Sequence, residues 1–165
     1  MNAPDILMYG HRLVLAAVDG LPEAAWEHPG ICGDWSIKEI VAHLASYELV
    51  LVEVFASFNG GGPTPYLDAF RLPDGTFNDT QVARRRARSA AETLAEYSAA
   101  HEDIRAHAGR IGADTWRQVG TLPWYGADYA LDDLVVYMSY GHKREHCAQI
   151  AVYRGQVMRG ASGAT

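Results

Sequence analysis

The sequence predicts an all-α fold, and we expect a four-helix bundle. Four long segments place apolar residues at spacings of three and four, and no stretch alternates strictly enough to indicate a strand. The length agrees, because 165 residues with a hydrophobic content of 48% suffice for one buried core. We therefore expect a single domain over residues 1–165, with a frayed tail from about residue 156.

The first helix is predicted for about residues 5–19. Leu7, His11 and Val14 fall three and four residues apart, and Gly20 follows as a natural stop. This pattern indicates an amphipathic helix with one face in the core, and it places a histidine on that inner face.

The second helix is predicted to begin after Ser36 and to run to about Phe58, before the sequence NGGGP. Ser36 and Glu39 have the spacing of a capping box, in which each side chain satisfies a backbone amide of the other residue. Trp35 and Ile40 occupy the positions of a hydrophobic staple across this helix start. A long, irregular connection is expected to follow.

The third helix is predicted to run from about Asp79 to Ile111, with Asn78 and Gln81 repeating the capping-box spacing. Its inner face should be a narrow seam, typical of a helix bundle. The seam consists of Ala83, Ala87, Ala90, Leu94, Tyr97, His101, Ile104, Ala108 and Ile111. The arginines at 84, 85, 86 and 88 lie mostly off it, so we expect a solvated face with acidic partners such as Glu92.

The last helix is predicted to start near Leu131, where Asp132 and Asp133 suit the positive end of the helix dipole. It should end at Arg154 and Gly155, a basic residue followed by the preferred terminal glycine. Long connections then separate the second helix from the third and the third from the fourth.

Charge and composition exclude several partners. The net charge of −6 argues against binding to nucleic acid or to an anionic membrane surface. The start of the chain lacks the apolar core of a signal peptide, and no run reaches the ~20 apolar residues of a membrane span. We expect a cytoplasmic protein, in which Cys32 and Cys147 remain unpaired thiols.

Three histidines carry the strongest chemical signal. His142 and His146 are four residues apart, so a helix would place both imidazoles on one face, one turn apart. His43 shares a mainly apolar helical face with residues such as Tyr47 and Val50, which should turn it inward too. Three imidazoles suit zinc, nickel, iron or copper and leave a coordination position open. The alternative is three separate core histidines, each with its own hydrogen bond.

Two other metal motifs are excluded by the sequence. HKREH also fits the inverted zinc-protease pattern with Glu145 as general base, but no Asp or Glu follows Glu145 to supply the acidic ligand. Glu145 should moreover lie at the rim or outside of the helix. A carboxylate-bridged di-iron site is excluded because no E-x-x-H sequence occurs in the chain.

Three segments together resemble the DinB-like (DinB/YfiT) superfamily: PGICGDWSIKEIVAHLASYE, the FND before the third helix, and HKREHCAQI. The similarity extends from about Leu13 to Gly155. The resemblance implies a four-helix bundle with up-down-down-up connectivity, often a homodimer, and a divalent metal on His43, His142 and His146. Zinc or nickel would be the first choice, with iron, manganese or copper as alternatives.

The resemblance also implies a class of reaction, since some relatives are S-transferases or isomerases that use a thiol such as mycothiol or bacillithiol. We expect a metal-dependent S-transferase or related detoxification enzyme acting on a small molecule. A metal-dependent hydrolase and a binding or stress-response protein without turnover remain alternatives. Residues that could orient the ligands or line the pocket are Tyr47, Gln149, Ser139, Glu39, His11 and His101.

Overall fold

A computed structural model provides the architecture and describes residues 2–162. Over that range the chain is helical, without a β-strand, and the isolated bridge between Cys32 and Trp35 closes a turn. The all-α prediction is therefore confirmed, whereas the up-down-down-up order stays a prediction. The helices are α1 (Ala3–Val18), α2 (Glu23–Trp26), α3 (Ile37–Ser57), α4 (Pro65–Phe70), α5 (Phe77–Ala83), α6 (Ala90–Ala108), α7 (Leu131–Val135) and α8 (His142–Ser162), with a π-helical segment (Val136–Gly141) between the last two.

Helix α3 forms the centre of the molecule and begins where the sequence predicts. The Glu39 amide donates to Ser36 Oγ at 3.3 Å, and the Ser36 amide donates to the Glu39 carboxylate at 3.0 Å. The helix is long and apolar enough to cross a membrane, but 72% of its most apolar stretch is buried inside the protein. Such burial is typical of a core helix.

The core consists of two apolar clusters, and α3 contributes to both. Ile40 and Leu44 belong to one cluster, with Val14 of α1; Leu51 belongs to the other, with Leu131 of α7. Helix α3 packs mainly against α6, and α1 packs against α8 and the π-helical segment. The candidate metal ligand of α3 lies near the point where the helix passes from one cluster to the other.

The predicted third helix is interrupted. Helix α5 ends at Ala83, turns follow, and α6 starts after Ser89, which forms a capping box with Glu92. The predicted cap at Asn78 and Gln81 is wrong, because α5 begins after Thr76 and has no side-chain cap. Two of the nine predicted seam residues, Ala83 and Ala87, are consequently exposed.

The arginines at 84, 85, 86 and 88 form only in part the solvated face that the sequence predicts. Arg85 is buried and forms a two-pronged ion pair with Glu96 at 2.8 and 3.1 Å, and it also donates to Gln81. Arg88 contacts the same carboxylate at 2.7 Å, and Arg86 lies 3.5 Å from Glu39. The predicted partner Glu92 caps α6 instead. The ion pairs with Glu96 and Glu39 connect the α5–α6 turns to α6 and α3.

The last helical region begins at Leu131 as predicted but differs in two respects. Six residues form the π-helical segment, which widens the helix just before His142. The helix also continues through the predicted stop at Gly155 as far as Ser162, while residues 163–165 of the predicted frayed tail lie outside the described residues. Within the two long connections, α4 and a 3₁₀ turn (Thr115–Arg117) replace some of the expected irregular chain.

Candidate metal centre

The structure brings His43, His142 and His146 together through one nitrogen of each ring. His43 comes from the first half of α3, and the other two come from the first turn and a half of α8. His142 Nε2 lies 2.8 Å from His43 Nε2 and 3.1 Å from His146 Nε2. One ligand atom from each residue lies within 4.8 Å of the others, so the three can hold one metal ion.

Hydrogen bonding alone does not satisfy this cluster. Each imidazole nitrogen offers either one N–H or one lone pair in the ring plane, so His142 Nε2 can serve only one of its two close neighbours. A cation would accept a lone pair from all three rings at once. Tetrahedral zinc, with Zn–N of ~2.0–2.1 Å, separates its nitrogens by about 3.3 Å, so small shifts of the rings would accommodate an ion.

Burial keeps these imidazoles neutral, which is the ligating form. Burial, and then the neighbouring rings of His142 and His146, lower the pKa of His43 to about 2. Burial, followed by His146 and Lys143, lowers the pKa of His142 to about 3. The pKa of His146 is also lowered, chiefly by burial. At neutral pH all three rings therefore present a lone pair without first having to lose a proton.

Gln149 orients one of the rings. The Nδ1–H of His146 donates to Gln149 Oε1 at 2.9 Å, an arrangement that leaves the lone pair on Nε2 for the cluster. The Nδ1 atoms of His43 and His142 are buried without a hydrogen-bond partner among the described residues. Gln149, which we predicted could orient a ligand, therefore contacts His146 from about one helical turn further along α8.

Tyr47 covers the cluster on the α3 side. Its ring centroid lies 4.7 Å from that of His43 and 4.4 Å from that of His142, and its hydroxyl donates to Asn78 at 3.3 Å. Burial, and then the nearby Tyr137, raise the pKa of Tyr47, so the phenol keeps its proton at neutral pH. Tyr47 can therefore contact a ligand at the cluster as a neutral group.

The other predicted neighbours do not reach the triad. Glu39 caps α3, and Ser139 is buried in the π-helical segment with no hydrogen-bond partner among the described residues for its hydroxyl. His11 and His101 stack on each other instead, with ring centroids 3.9 Å apart and an interplanar angle of 2°. None of these four residues has a hydrogen bond or ring contact to the triad within the described chain.

His11 and His101 belong to a second buried cluster. His101 Nδ1 donates to the Glu48 carboxylate at 3.3 Å, and Lys143 Nζ lies 2.8 Å from the other oxygen of that carboxylate. Burial alone would raise the pKa of Glu48, but the charge of Lys143 and the His101 hydrogen bond outweigh it and hold the pKa below its usual value. Tyr97, which stacks on His11 at 5.3 Å, completes the cluster.

Sequence reasoning missed several of these residues. Lys143 lies between two polar neighbours in HKREH and looks like a surface residue, yet it is 1% exposed. Its position one residue after His142, about 100° around the helix, places it off the face of the two ligands, so the helical pattern carries no signal for its burial. Asn78 was assigned to a helix cap rather than to Tyr47. Trp35, assigned only to the helix start, has its ring centroid 5.0 Å from that of His43.

Glu145 and Cys147 flank His146 in the sequence, but neither contributes to the histidine cluster. Glu145 is exposed, consistent with its predicted place at the rim or outside of the helix and with the exclusion of a protease. Cys147 follows His146 but is buried in the apolar core, as predicted, and burial raises its pKa to about 11. Its thiol therefore remains protonated at neutral pH, and both cysteines are free.

A helical protein with three neutral imidazoles converging in its core is a candidate metalloprotein. Residues 9–150 match the sequence model of the DinB superfamily, so the chain belongs to that superfamily. A comparison with curated protein sequences gave no match.

Solved structures share the fold. Mycothiol-dependent maleylpyruvate isomerase superimposes with a TM-score of 0.69 at 11% identity, over 90% of this chain and 59% of that one. A histidine-to-alanine mutant of that enzyme gives the same values. A structural-genomics protein from Streptococcus pneumoniae has a TM-score of 0.75 at 11% identity, over 94% of this chain and 91% of that one. This chain therefore spans 59% of the isomerase's length.

Proposed function

We propose that the protein is a metal-dependent enzyme that transfers a low-molecular-weight thiol, such as mycothiol or bacillithiol, to a small electrophilic molecule. His43, His142 and His146 would hold a divalent ion, with zinc or nickel ahead of iron, manganese and copper. When bound, such an ion supplies Lewis acidity that lowers the pKa of a coordinated thiol. The observation that carries the proposal is the convergence of three Nε2 atoms, which hydrogen bonding among the three rings cannot satisfy all at once.

The protein's own residues favour a thiol that comes from outside. Cys147 is the cysteine next to the triad, but its raised pKa and its burial make it a poor nucleophile. Tyr47 would contact the incoming molecule, while Gln149 would keep His146 in its ligating tautomer. The mycothiol dependence of the isomerase with the same fold supports this reaction class. A cytoplasmic homodimer with up-down-down-up connectivity completes the proposal.

A hydrolase is the less favoured alternative. Hydrolysis through a metal-bound water usually needs a nearby general base, most often a histidine or a carboxylate. Within the described residues no carboxylate is hydrogen-bonded to any of the three imidazoles, and Glu145 is exposed. The triad therefore fits a pre-formed nucleophile such as a thiol better than it fits water.

The first prediction concerns metal content. Purified protein should bind about one divalent ion per chain, and His142→Ala should lose most of it because two ligands hold an ion far less tightly than three. Elemental analysis and a metal titration followed by thermal unfolding would measure both effects. The matched control is His28→Ala, at an exposed histidine outside the cluster. Equal metal content in the wild type and His142→Ala would overturn the proposed ligand set.

The second prediction concerns activity. Metal-loaded protein should conjugate monochlorobimane to mycothiol or bacillithiol faster than the uncatalysed reaction, and His43→Ala should reduce the rate to background. Fluorescence of the conjugate provides the assay, with cysteine and glutathione as comparison thiols. Absence of any thiol-dependent product from fully loaded enzyme would reject the transferase. Saturable thiol binding without product would then favour the binding-protein alternative.

A further inference from the structure

The two helices that carry the candidate ligands pack mainly against other helices. Helix α3, with His43, packs mostly against α6, whereas α8, with His142 and His146, packs mostly against α1. The four-residue spacing on α8 fixes two ligands relative to each other, but the third has to come from α3. Metal–ligand distances in a well-formed site lie within about 0.2 Å of their usual values. The relative placement of α3 and α8 therefore decides whether three ligands or only two reach one ion.

Two of the three ligand rings lack a side chain that orients them through a hydrogen bond. Gln149 holds His146, but the Nδ1 atoms of His43 and His142 are buried without a hydrogen-bond partner among the described residues. In most metal sites this second nitrogen donates to a carboxylate or a carbonyl, which fixes the ring. The positions of His43 and His142 therefore depend on packing and on where their backbones lie.

A buried ion pair joins α3 to α8 next to these ligands. Glu48 follows His43 by five residues on α3, and Lys143 directly follows His142 on α8. Lys143 Nζ lies 2.8 Å from the Glu48 carboxylate, and both side chains are 1% exposed. Five residues correspond to ~7.5 Å along a helix and about 140° around it. The ion pair and the histidines are thus two separate contacts between the helices, and two contacts restrict rotation as well as separation.

Neighbouring helices keep this ion pair in one arrangement. On the α6 side, the ring centroid of Tyr97 lies 5.3 Å from Lys143 Nζ, and His101 Nδ1 lies 3.3 Å from the other Glu48 oxygen. On the α1 side, the backbone at Gly10 comes so close that an added Cβ would lie 3.1 Å from Lys143 Cδ. Helix α8 cannot turn or slide past α3 without separating two buried charges, which is costly.

We propose that Glu48 and Lys143 are positioning residues for the metal site, and that their ion pair holds His43 within reach of an ion bound by His142 and His146. This role rests on the metal site of the proposed function, not on the transfer of a thiol. It also gives the buried charges a task beyond stability, since an apolar pair of similar volume would fill the same space without fixing the two helices in one arrangement.

The test compares the zinc affinity of the wild type with that of Glu48→Leu/Lys143→Met, measured by competition with a chromogenic chelator. The double variant removes the ion pair, strands no charge and leaves the net charge near the ion unchanged. Its zinc affinity should fall about tenfold or more, the usual effect of losing a group that supports metal ligands. Cobalt provides a second readout, because its visible absorption reports ligand geometry and should change in the variant at full occupancy. Circular dichroism at the same temperature verifies that each protein is folded.

Two further variants separate position from packing. Glu48→Gln/Lys143→Met also removes both charges but keeps the shape of both side chains, and it should lose zinc affinity to a similar extent. Glu48→Asp/Lys143→Arg shortens one side chain and lengthens the other, so the ion pair can still form. This charge-keeping variant should retain most of the wild-type affinity and the wild-type cobalt spectrum.

Arg85→Met/Glu96→Leu is the matched control, because this largely buried ion pair joins the α5–α6 turns to α6 and includes no residue of α3 or α8. It should bind zinc as tightly as the wild type. Unchanged zinc affinity in both charge-free variants, or an equal loss in the control, would overturn the positioning role and leave the metal site intact. Wild-type protein that binds no zinc would reject the metal site and the role together. A loss of affinity specific to the Glu48 and Lys143 variants, without any thiol conjugation by the wild type, would reject the transferase and keep the role.

Discussion

Replacing Lys143 with methionine is expected to destabilise the protein by about 3–5 kcal/mol, because it leaves the Glu48 carboxylate buried without its cation. Both side chains are 1% exposed, and the remaining partner of Glu48 is the His101 imidazole at 3.3 Å. Urea denaturation followed by circular dichroism would show a lower midpoint with an unchanged slope. Glu48→Gln should have an effect of similar size, since it strands the ammonium group instead.

The double variant Glu48→Leu/Lys143→Met is the control for this prediction. Replacing both charges with apolar side chains removes the desolvation cost on each side, so much of the lost stability should return. A double variant as unstable as the sum of the two single variants would show that the ion pair is not the source of the effect. Single variants within about 0.5 kcal/mol of the wild type would show that water reaches these groups.

The second large effect is expected from Gly10→Ala. A Cβ on Gly10 would lie 1.9 Å from the carbonyl oxygen of Ser139, and that oxygen is a backbone atom that no rotamer change can move. Overpacking of this kind typically costs about 1–3 kcal/mol and occasionally more. Because the π-helical segment that contains Ser139 leads directly into His142, the variant should also bind metal less tightly. Thermal unfolding with and without added metal would measure both changes.

Gly141→Ala is the matched control for the clash. Gly141 belongs to the same π-helical segment, but the nearest atom to its added Cβ is 3.9 Å away. It should leave stability unchanged or raise it by up to about 1 kcal/mol, the usual gain from alanine in a helix. If both glycine variants behaved alike, the close approach of α1 to Ser139 would not explain the result.

Local sequence signals predicted the parts of the fold that depend on neighbouring residues. The capping box at Ser36 and Glu39 places the start of α3 correctly because both hydrogen bonds form within four residues. The four-residue spacing of His142 and His146 likewise places two imidazoles on one face.

The predictions failed where a second sequence signal competed with the first, or where the partner of a residue lies far away in the sequence. The seam of the third helix continued through residues 84–88, but Ser89 and Glu92 offered a second capping box, and the chain uses it. Arg85 was assigned to solvent because its partner Glu96 lies across the break. The burial of Lys143 was missed for the same reason, since its partner Glu48 lies almost a hundred residues earlier in the chain.

The π-helical segment has one further consequence for the last helical region. An α-helix fixes the angular relation between any two of its residues, so a single helix would tie the orientation of Leu131 and Leu134 in the core to that of His142. The wider turn between them changes this angular relation. The direction in which His142 and His146 face, relative to the core residues of α7, is therefore set by the turn at Val136–Gly141 and not by α-helical periodicity alone.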